Sequence, residues 1–136
     1  MVFEWPVRVY YEDTDAGGIV YYANYLRFLE RARTEWLRTL GVNQESLRRD
    51  GVVFVVTEVN VRYRRPARLD DELCITSSVE RLSRTRLVFA QQVLSNEGAS
   101  MVEGTVTVAC MNLDGKPCAI PEPIRTLIQR SSVEIH

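Results

Sequence analysis

Tyr22 to Leu40, YANYLRFLERARTEWLRTL, is the stretch whose periodicity decides the fold. Tyr22, Tyr25, Leu26, Leu29, Ala32, Trp36, Leu37 and Leu40 recur at spacings of three and four and so line one face of a long α-helix. Arg27, Glu30, Arg31, Thr34 and Arg38 fall on the other side. Gly41 follows, and a glycine just past a helix commonly ends it in the left-handed conformation.

Working outward, most of the remaining chain reads as strand. Trp5 to Glu12 is rich in Val and Tyr, interrupted only near Pro6. Strict alternation over Val52 to Arg65 puts Val55, Thr57, Val59, Val61 and Tyr63 on one face and Phe54, Val56, Glu58, Asn60 and Arg62 on the other, with Pro66 ending the run. Asp71 to Leu82, Arg86 to Leu94 and Met101 to Met111 follow, the last two separated by the turn-rich Ser95-Asn96-Glu97-Gly98. Short helical segments are expected at Gln44 to Arg49 and at Pro121 to Arg130. One long helix followed by a meander of antiparallel strands implies an α+β fold, a sheet wrapped on the helix, in a single domain over 1–136. Such a sheet leaves an edge strand unpaired. Pairing that edge with a second subunit is a common remedy, so a homodimer or larger symmetric assembly is expected.

Composition narrows the chemistry. The 136 residues are 46% apolar and 26% charged with a net charge of -1, which argues against a protein that tracks nucleic-acid phosphates. No apolar run approaches the roughly 20 residues that span a bilayer, and the first residues lack a signal-peptide pattern, so a cytoplasmic location is the expectation. Cys74, Cys110 and Cys118 show no CxxC spacing and read as reduced, partly buried thiols, not as a disulfide framework or a metal site. The only histidine is His136, the last residue. A histidine-based triad, a histidine-dependent dehydratase and a multi-histidine metal centre are therefore disfavoured, and the chemistry must rest on carboxylates, hydroxyls or backbone groups.

The candidate site lies just before the helix, in YEDTDAGGIVYYANY from Tyr11 to Tyr25. On spacing alone, Asp13 and Asp15 read as turn formers. Gly17 and Gly18, however, permit close approach of a ligand, and a carboxylate beside a helix N-terminus sits next to N–H groups with no intrahelical acceptor. Of the neighbouring tyrosines, Tyr25 reads as core, and Tyr22 is of interest for its backbone N–H. Tyr21, Tyr22, Phe54 and Val56 are candidates to line a substrate pocket. Glu30 and Glu35 have arginines three or four residues away and read as solvated pairs, and Glu58 shares a strand face with Phe54 and Val56. Arginines recur at Arg62, Arg64, Arg65 and Arg68 and around a hairpin at Arg81, Arg84 and Arg86. A solvated face is the usual meaning. Docking of substrate phosphates is the functional one.

The segment VRVYYEDTDAGGIVYYANYLRFLERARTEWLR, Val7 to Arg38, resembles the signature of the 4-hydroxybenzoyl-CoA thioesterase family of hotdog-fold proteins. VNVRYRRPARLDDEL, Val59 to Leu73, is similar to the branch of acyl-CoA thioesterases associated with the bacterial Tol–Pal system. The resemblance implies hydrolysis of an acyl-CoA thioester to a free acid and CoA. Asp15 then falls on the catalytic aspartate, as nucleophile or general base, and Tyr22 on the helix-entry position whose backbone N–H polarises the carbonyl. Many members of the Tol–Pal branch carry histidine at that position; tyrosine is like the hydroxybenzoyl-CoA enzymes. The resemblance further implies CoA-phosphate contacts near Ser83 to Arg86, with Arg84 first, then Arg86 and the Arg64-Arg65 pair. It implies a dimer or homotetramer with interfacial active sites. Short-chain, long-chain and aromatic acyl groups all stay open, as does an acyl carrier protein donor, and no metal or cofactor beyond the CoA of the substrate is expected. The rival reading is a non-catalytic hotdog module that binds acyl chains or docks proteins of the Tol–Pal system.

Overall fold

The computed structural model describes residues 2–131, so His136 lies outside the described residues. Five strands form one antiparallel sheet: β1 (Phe3–Arg8), β2 (Val52–Tyr63), β3 (Glu72–Leu82), β4 (Arg86–Ser95) and β5 (Ser100–Asn112). The helices are α1 (Asn24–Thr39), α2 (Gln44–Arg49) and α3 (Glu122–Ser131). This is the α+β arrangement expected. Among the described residues no helix is long and apolar enough to cross a membrane.

α1 packs on β1, β3 and β4. It buries Tyr25, Phe28, Leu29, Ala32, Trp36 and Leu37 against Leu73, Ile75, Leu87 and Phe89. The Trp36 and Phe89 rings meet edge to face at 5.4 Å, an arrangement that matches ring edge to ring face electrostatically. The helix closes as its sequence indicated. Gly41 has φ +84°, its N–H donates to Arg38 O (3.0 Å), and Val42 N–H donates to Leu37 O (3.0 Å). Both orphan carbonyls are thereby satisfied while Val42 packs into the core.

Four local expectations need correction. First, Pro6 does not interrupt β1. It pairs with Cys74 within an edge strand, where the missing N–H faces away from the ladder. The strand instead ends at Arg8, before a 3-10 turn at Tyr11–Asp13.

Second, the strands are not a simple meander. The order is β1-β3-β4-β5-β2, so β2 occupies the far edge and residues 64–71 carry the chain back across the end of the sheet to β3. Third, β2 bulges at Thr57: Val56 pairs with Val108 but Glu58 pairs with Thr107. One unpaired residue inverts the alternation beyond it. Phe54 and Val56 therefore share their face with Val59, Val61 and Tyr63, opposite buried Cys110, Val108, Val106 and Val102, while Glu58 joins the outer face with Asn60 and Arg62. The close approach of β2 to β5 also explains Gly104, where a Cβ would lie 2.0 Å from Asn60 O and 2.6 Å from Val61 Cα.

Fourth, Arg33 is not a solvated partner of Glu30. It is buried on α1 and donates to Gln91 Oε1 (3.0 Å), whose amide donates to Leu29 O (3.0 Å) and Ser77 Oγ (2.9 Å). Burial lowers the Arg33 pKa, with the Glu30 charge opposing. Glu35, by contrast, pairs with Arg38 at 2.6 Å as its spacing indicated.

Candidate active site

The returning segment 64–71 supplies the platform for the Asp15 loop. Val20 N–H donates to Ala67 O (2.8 Å), Ile19 bridges Arg68, and the buried Tyr25 hydroxyl accepts from Ala67 N–H (2.9 Å). Burial raises the Tyr25 pKa, its bond from Ala67 notwithstanding. On this platform residues 13–21 form a tight antiparallel loop. Tyr21 N–H donates to Asp13 O (3.0 Å), Thr14 bridges Val20, and Asp15 N–H donates to Ile19 O (2.9 Å). At the tip, Gly18 turns the chain with φ +75° and donates to Asp15 O (3.0 Å).

The two acids separate cleanly. Asp13 is 5% exposed and both its carboxylate oxygens are occupied: Oδ2 by Tyr10 N–H (2.8 Å) and Oδ1 by Asn24 Nδ2 (2.8 Å). Asp15 is exposed at the loop tip, and among the described residues its one side-chain bond is Oδ1 accepting from Gly17 N–H at 2.9 Å. Asp15 Oδ2 thus has no hydrogen-bond partner among the described residues, whereas both oxygens of Asp13 do.

The helix entrance differs from its sequence reading by two residues. α1 begins at Asn24 with Ala23 as its N-cap, so Tyr22 precedes the helix and is not in its first turn. Asn24 N–H donates to Tyr21 O (2.8 Å), which makes 21–24 a turn leading into α1. Among the described residues neither the Tyr22 nor the Ala23 N–H donates a hydrogen bond to the protein. A pair of unused donors near a helix N-terminus, where the peptide dipoles present their positive end, suits an anionic oxygen.

An aromatic cluster flanks this entrance. Tyr22 meets Tyr21 at 5.0 Å and Tyr63 edge-on at 6.0 Å, and Tyr63 meets Tyr25 at 5.7 Å. Burial raises the Tyr63 pKa, though the ring remains 46% exposed. Tyr63 is absent from the sequence-derived site because its place depends on the route of residues 64–71. Asn24 was also missed. A signal for it exists: it stands four residues before Phe28 and eight before Ala32, a polar residue on the buried stripe.

The expected acyl-pocket residues are not brought together in one chain. Phe54 and Val56, with Arg33, Leu37 and Phe89, line an open groove of about 390 Å³ between the flank of α1 and the start of β2, whereas Tyr21 and Tyr22 lie at the other end of β2. The arginines divide in the same way. Arg64 and Arg65 follow β2, where Tyr63 pairs with Val102, while Arg84 and Arg86 flank the β3–β4 turn, where Arg86 pairs with Ala109. Seven residues of β5 separate these rungs, roughly 23 Å at about 3.3 Å per residue. Arg64 is further committed to Glu103, whose pKa is lowered by that bond (Nε to Oε1, 2.8 Å). Arg65, Arg84 and Arg86 are exposed, and among the described residues their side chains have no hydrogen-bonding or ionic partner.

The thiols are free, as expected. Cys110 and Cys118 lie 3.5 Å apart as a hydrogen-bonded pair, and burial, aided by Cys118, pushes the Cys110 pKa up to about 12. Burial of this kind disfavours the thiolate, the reactive form of a cysteine.

Comparison with known proteins places this geometry. Residues 9–128 match the thioesterase-like superfamily. The acyl-CoA thioester hydrolase YbgC of Escherichia coli is 48% identical over 124 residues, 90% of this chain and 92% of that protein. The acyl-CoA thioesterase YbgC of Haemophilus influenzae is 44% identical over 90% of this chain and 91% of its own length. The crystal structure of a probable thioesterase from Bartonella henselae superposes with a TM-score of 0.83 at 36% identity, covering 89% of this chain and all of that one. The sheet and its long helix are therefore the hotdog arrangement, and the chain belongs to the thioesterase-like superfamily.

Proposed function

We propose that this protein hydrolyses an acyl-CoA thioester to the free acid and CoA at the helix entrance, with Asp15 as the reacting carboxylate. The observation that carries this reading is the division of labour between the acids. Asp13 has both oxygens bonded and buried, and Asp15 presents an exposed carboxylate on a loop tied to the turn that bears the unused Tyr22 and Ala23 N–H groups. The YbgC relatives, one named a hydrolase and the other a thioesterase of acyl-CoA, support the same substrate class.

In one route Asp15 attacks the thioester carbonyl, the carbonyl electrons shift to oxygen, and collapse expels CoA thiolate to leave a mixed anhydride that water cleaves. In the other, Asp15 takes a proton from water as that water attacks. Both pass through an oxyanion that the Tyr22 N–H, with that of Ala23, would hold. A thiolate leaves without a strong general acid, which suits a chain with no histidine among the described residues. No metal or further cofactor enters either route.

The long free edge of β2, where Val55, Val56, Val59 and Tyr63 are all exposed, supports a homodimer or homotetramer. Arg84 and Arg86 would then serve CoA phosphates at the site of a neighbouring copy, since their own Asp15 lies at the other end of the sheet. Arg64 and Arg65 are secondary candidates.

The reading is tested by thiol release over a panel of short, long and aromatic acyl-CoAs, with acyl carrier protein thioesters as a second arm. Turnover of at least one acyl-CoA is expected. Binding without turnover across the panel would overturn the reading in favour of a non-catalytic acyl-binding or docking module of the Tol–Pal type.

A further inference from the structure

We infer that Asn24 and Asp13 form a positioning clamp that sets the distance between Asp15 and the oxyanion donors; this inference rests on the site reading above. The reacting carboxylate and the donor N–H groups belong to different segments. Asp15 sits in a loop whose internal bonds, Asp15 N–H to Ile19 O, Gly18 N–H to Asp15 O and Gly17 N–H to Asp15 Oδ1, fix only the loop itself. The donors sit at residues 22 and 23, on the turn into α1.

Two bonds join these bodies on the side of Asp13. One is backbone, Tyr21 N–H to Asp13 O. The other is the buried side-chain bond from Asn24 Nδ2 to Asp13 Oδ1, at 2.8 Å, with Asn24 7% and Asp13 5% exposed. Asp13 is in turn fixed by Tyr10 N–H on Oδ2 at 2.8 Å, and Asn24 by its own N–H to Tyr21 O at 2.8 Å. Each donor and acceptor in this short chain has one partner, and water has little access. A hydrogen bond held in that way fixes a length more tightly than a solvated one.

Neither residue touches substrate in this arrangement. Their effect on the reaction runs through the separation of Asp15 from the Tyr22 and Ala23 N–H groups. A shift of about 1 Å between reacting groups lowers turnover by up to ~100-fold, so the clamp acts on kcat and leaves KM nearly unchanged.

The test is a swap. Asn24→Asp sets two carboxylates against each other, and kcat per folded molecule should fall ~10- to ~100-fold with KM changed less than ~3-fold. Adding Asp13→Asn to that variant restores the bond with its polarity reversed: the new amide donates to the new carboxylate, and its oxygen still accepts from Tyr10 N–H. The double variant should recover kcat to within ~5-fold of the parent. Circular dichroism and thermal midpoints supply the folded fraction, and Asn24→Ala gives the effect of removing the bond without adding charge.

A pairwise rescue of kcat at constant KM supports the clamp. Unchanged kcat in both Asn24→Asp and Asn24→Ala overturns it, as does a loss that tracks the folded fraction alone or one that the double variant fails to restore. Asp15→Asn runs alongside. If it is inactive while the Asn24 variants are fully active, only the clamp falls; if it is fully active, the site reading falls and the clamp with it.

Discussion

The two ends of the sheet are built on opposite plans. At the helix entrance nearly every polar group is spoken for within the chain: Asp13 by Tyr10 and Asn24, Tyr25 by Ala67, Arg64 by Glu103. Left without a partner among the described residues are Asp15 Oδ2, the N–H groups of Tyr22 and Ala23, and the exposed guanidinium of Arg65. At the β3–β4 turn Ser83 N–H donates to Arg86 O (2.9 Å) and Arg86 N–H to Ser83 Oγ (3.1 Å), and among the described residues the guanidinium groups of Arg84 and Arg86 are left unpaired. The first end presents an exposed carboxylate and two unused backbone donors, and the second presents two unpaired guanidinium groups. Roughly 23 Å of strand lies between them.

Substitutions can break this contrast. The largest effect belongs to the packing at the entrance end. Gly104→Ala drives a Cβ into the Asn60 carbonyl, a backbone contact that no rotamer relieves, and should destabilise the fold by about 3 kcal/mol or more in denaturant titrations. Next is Tyr25→Phe, which leaves the buried Ala67 N–H without its acceptor and should cost about 1–3 kcal/mol.

The same substitution has a pH signature. Burial favours the neutral Tyr25 phenol, so the folded state holds that proton more tightly than the unfolded chain does. Its contribution is fully present below the unfolded value of about 10 and is lost as pH rises through the higher folded value. Tyr25→Phe should therefore flatten the alkaline fall in stability measured by thermal melts.

The arginine end should respond in binding and not in folding. Replacing Arg84 and Arg86 together by alanine is expected to raise KM for acyl-CoA about 10-fold, with kcat and thermal midpoint little changed. The loss should shrink with added salt. A fall in kcat with unchanged KM would show that the two ends are not separate in role. Smallest is Arg64→Ala: its guanidinium already serves Glu103, so KM should shift less than ~2-fold.

The helix and the strands were legible because their periods are local and strong. α1 reads correctly from spacing except at its start, which falls two residues later at Asn24, and in β3 the alternating Leu73, Ile75, Ser77 and Val79 are all buried. What escaped was non-local. Nothing in the local pattern around Thr57 marks the bulge that flips Glu58 to the outer face. Gln91, the partner that lets Arg33 be buried, is 58 residues away in sequence. The placement of β2 beyond β5 decides that Tyr63 meets Tyr22 and that the arginines separate, and strand order is not written in any one strand. At the site itself, spacing left Asp13 and Asp15 as turn formers and the family resemblance pointed to Asp15 and Tyr22, whereas the bonds that distinguish the two acids required coordinates.

The central claim is that Asp15 performs the chemistry. The most direct measurement is the rate of CoA thiol release by Asp15→Asn at saturating acyl-CoA, compared with the parent protein. Asparagine keeps the shape and still accepts from Gly17 N–H, so the loop should persist and the thermal midpoint should hold. The account predicts a fall of at least ~100-fold. A folded Asp15→Asn protein that releases thiol within a few-fold of the parent rate would contradict it.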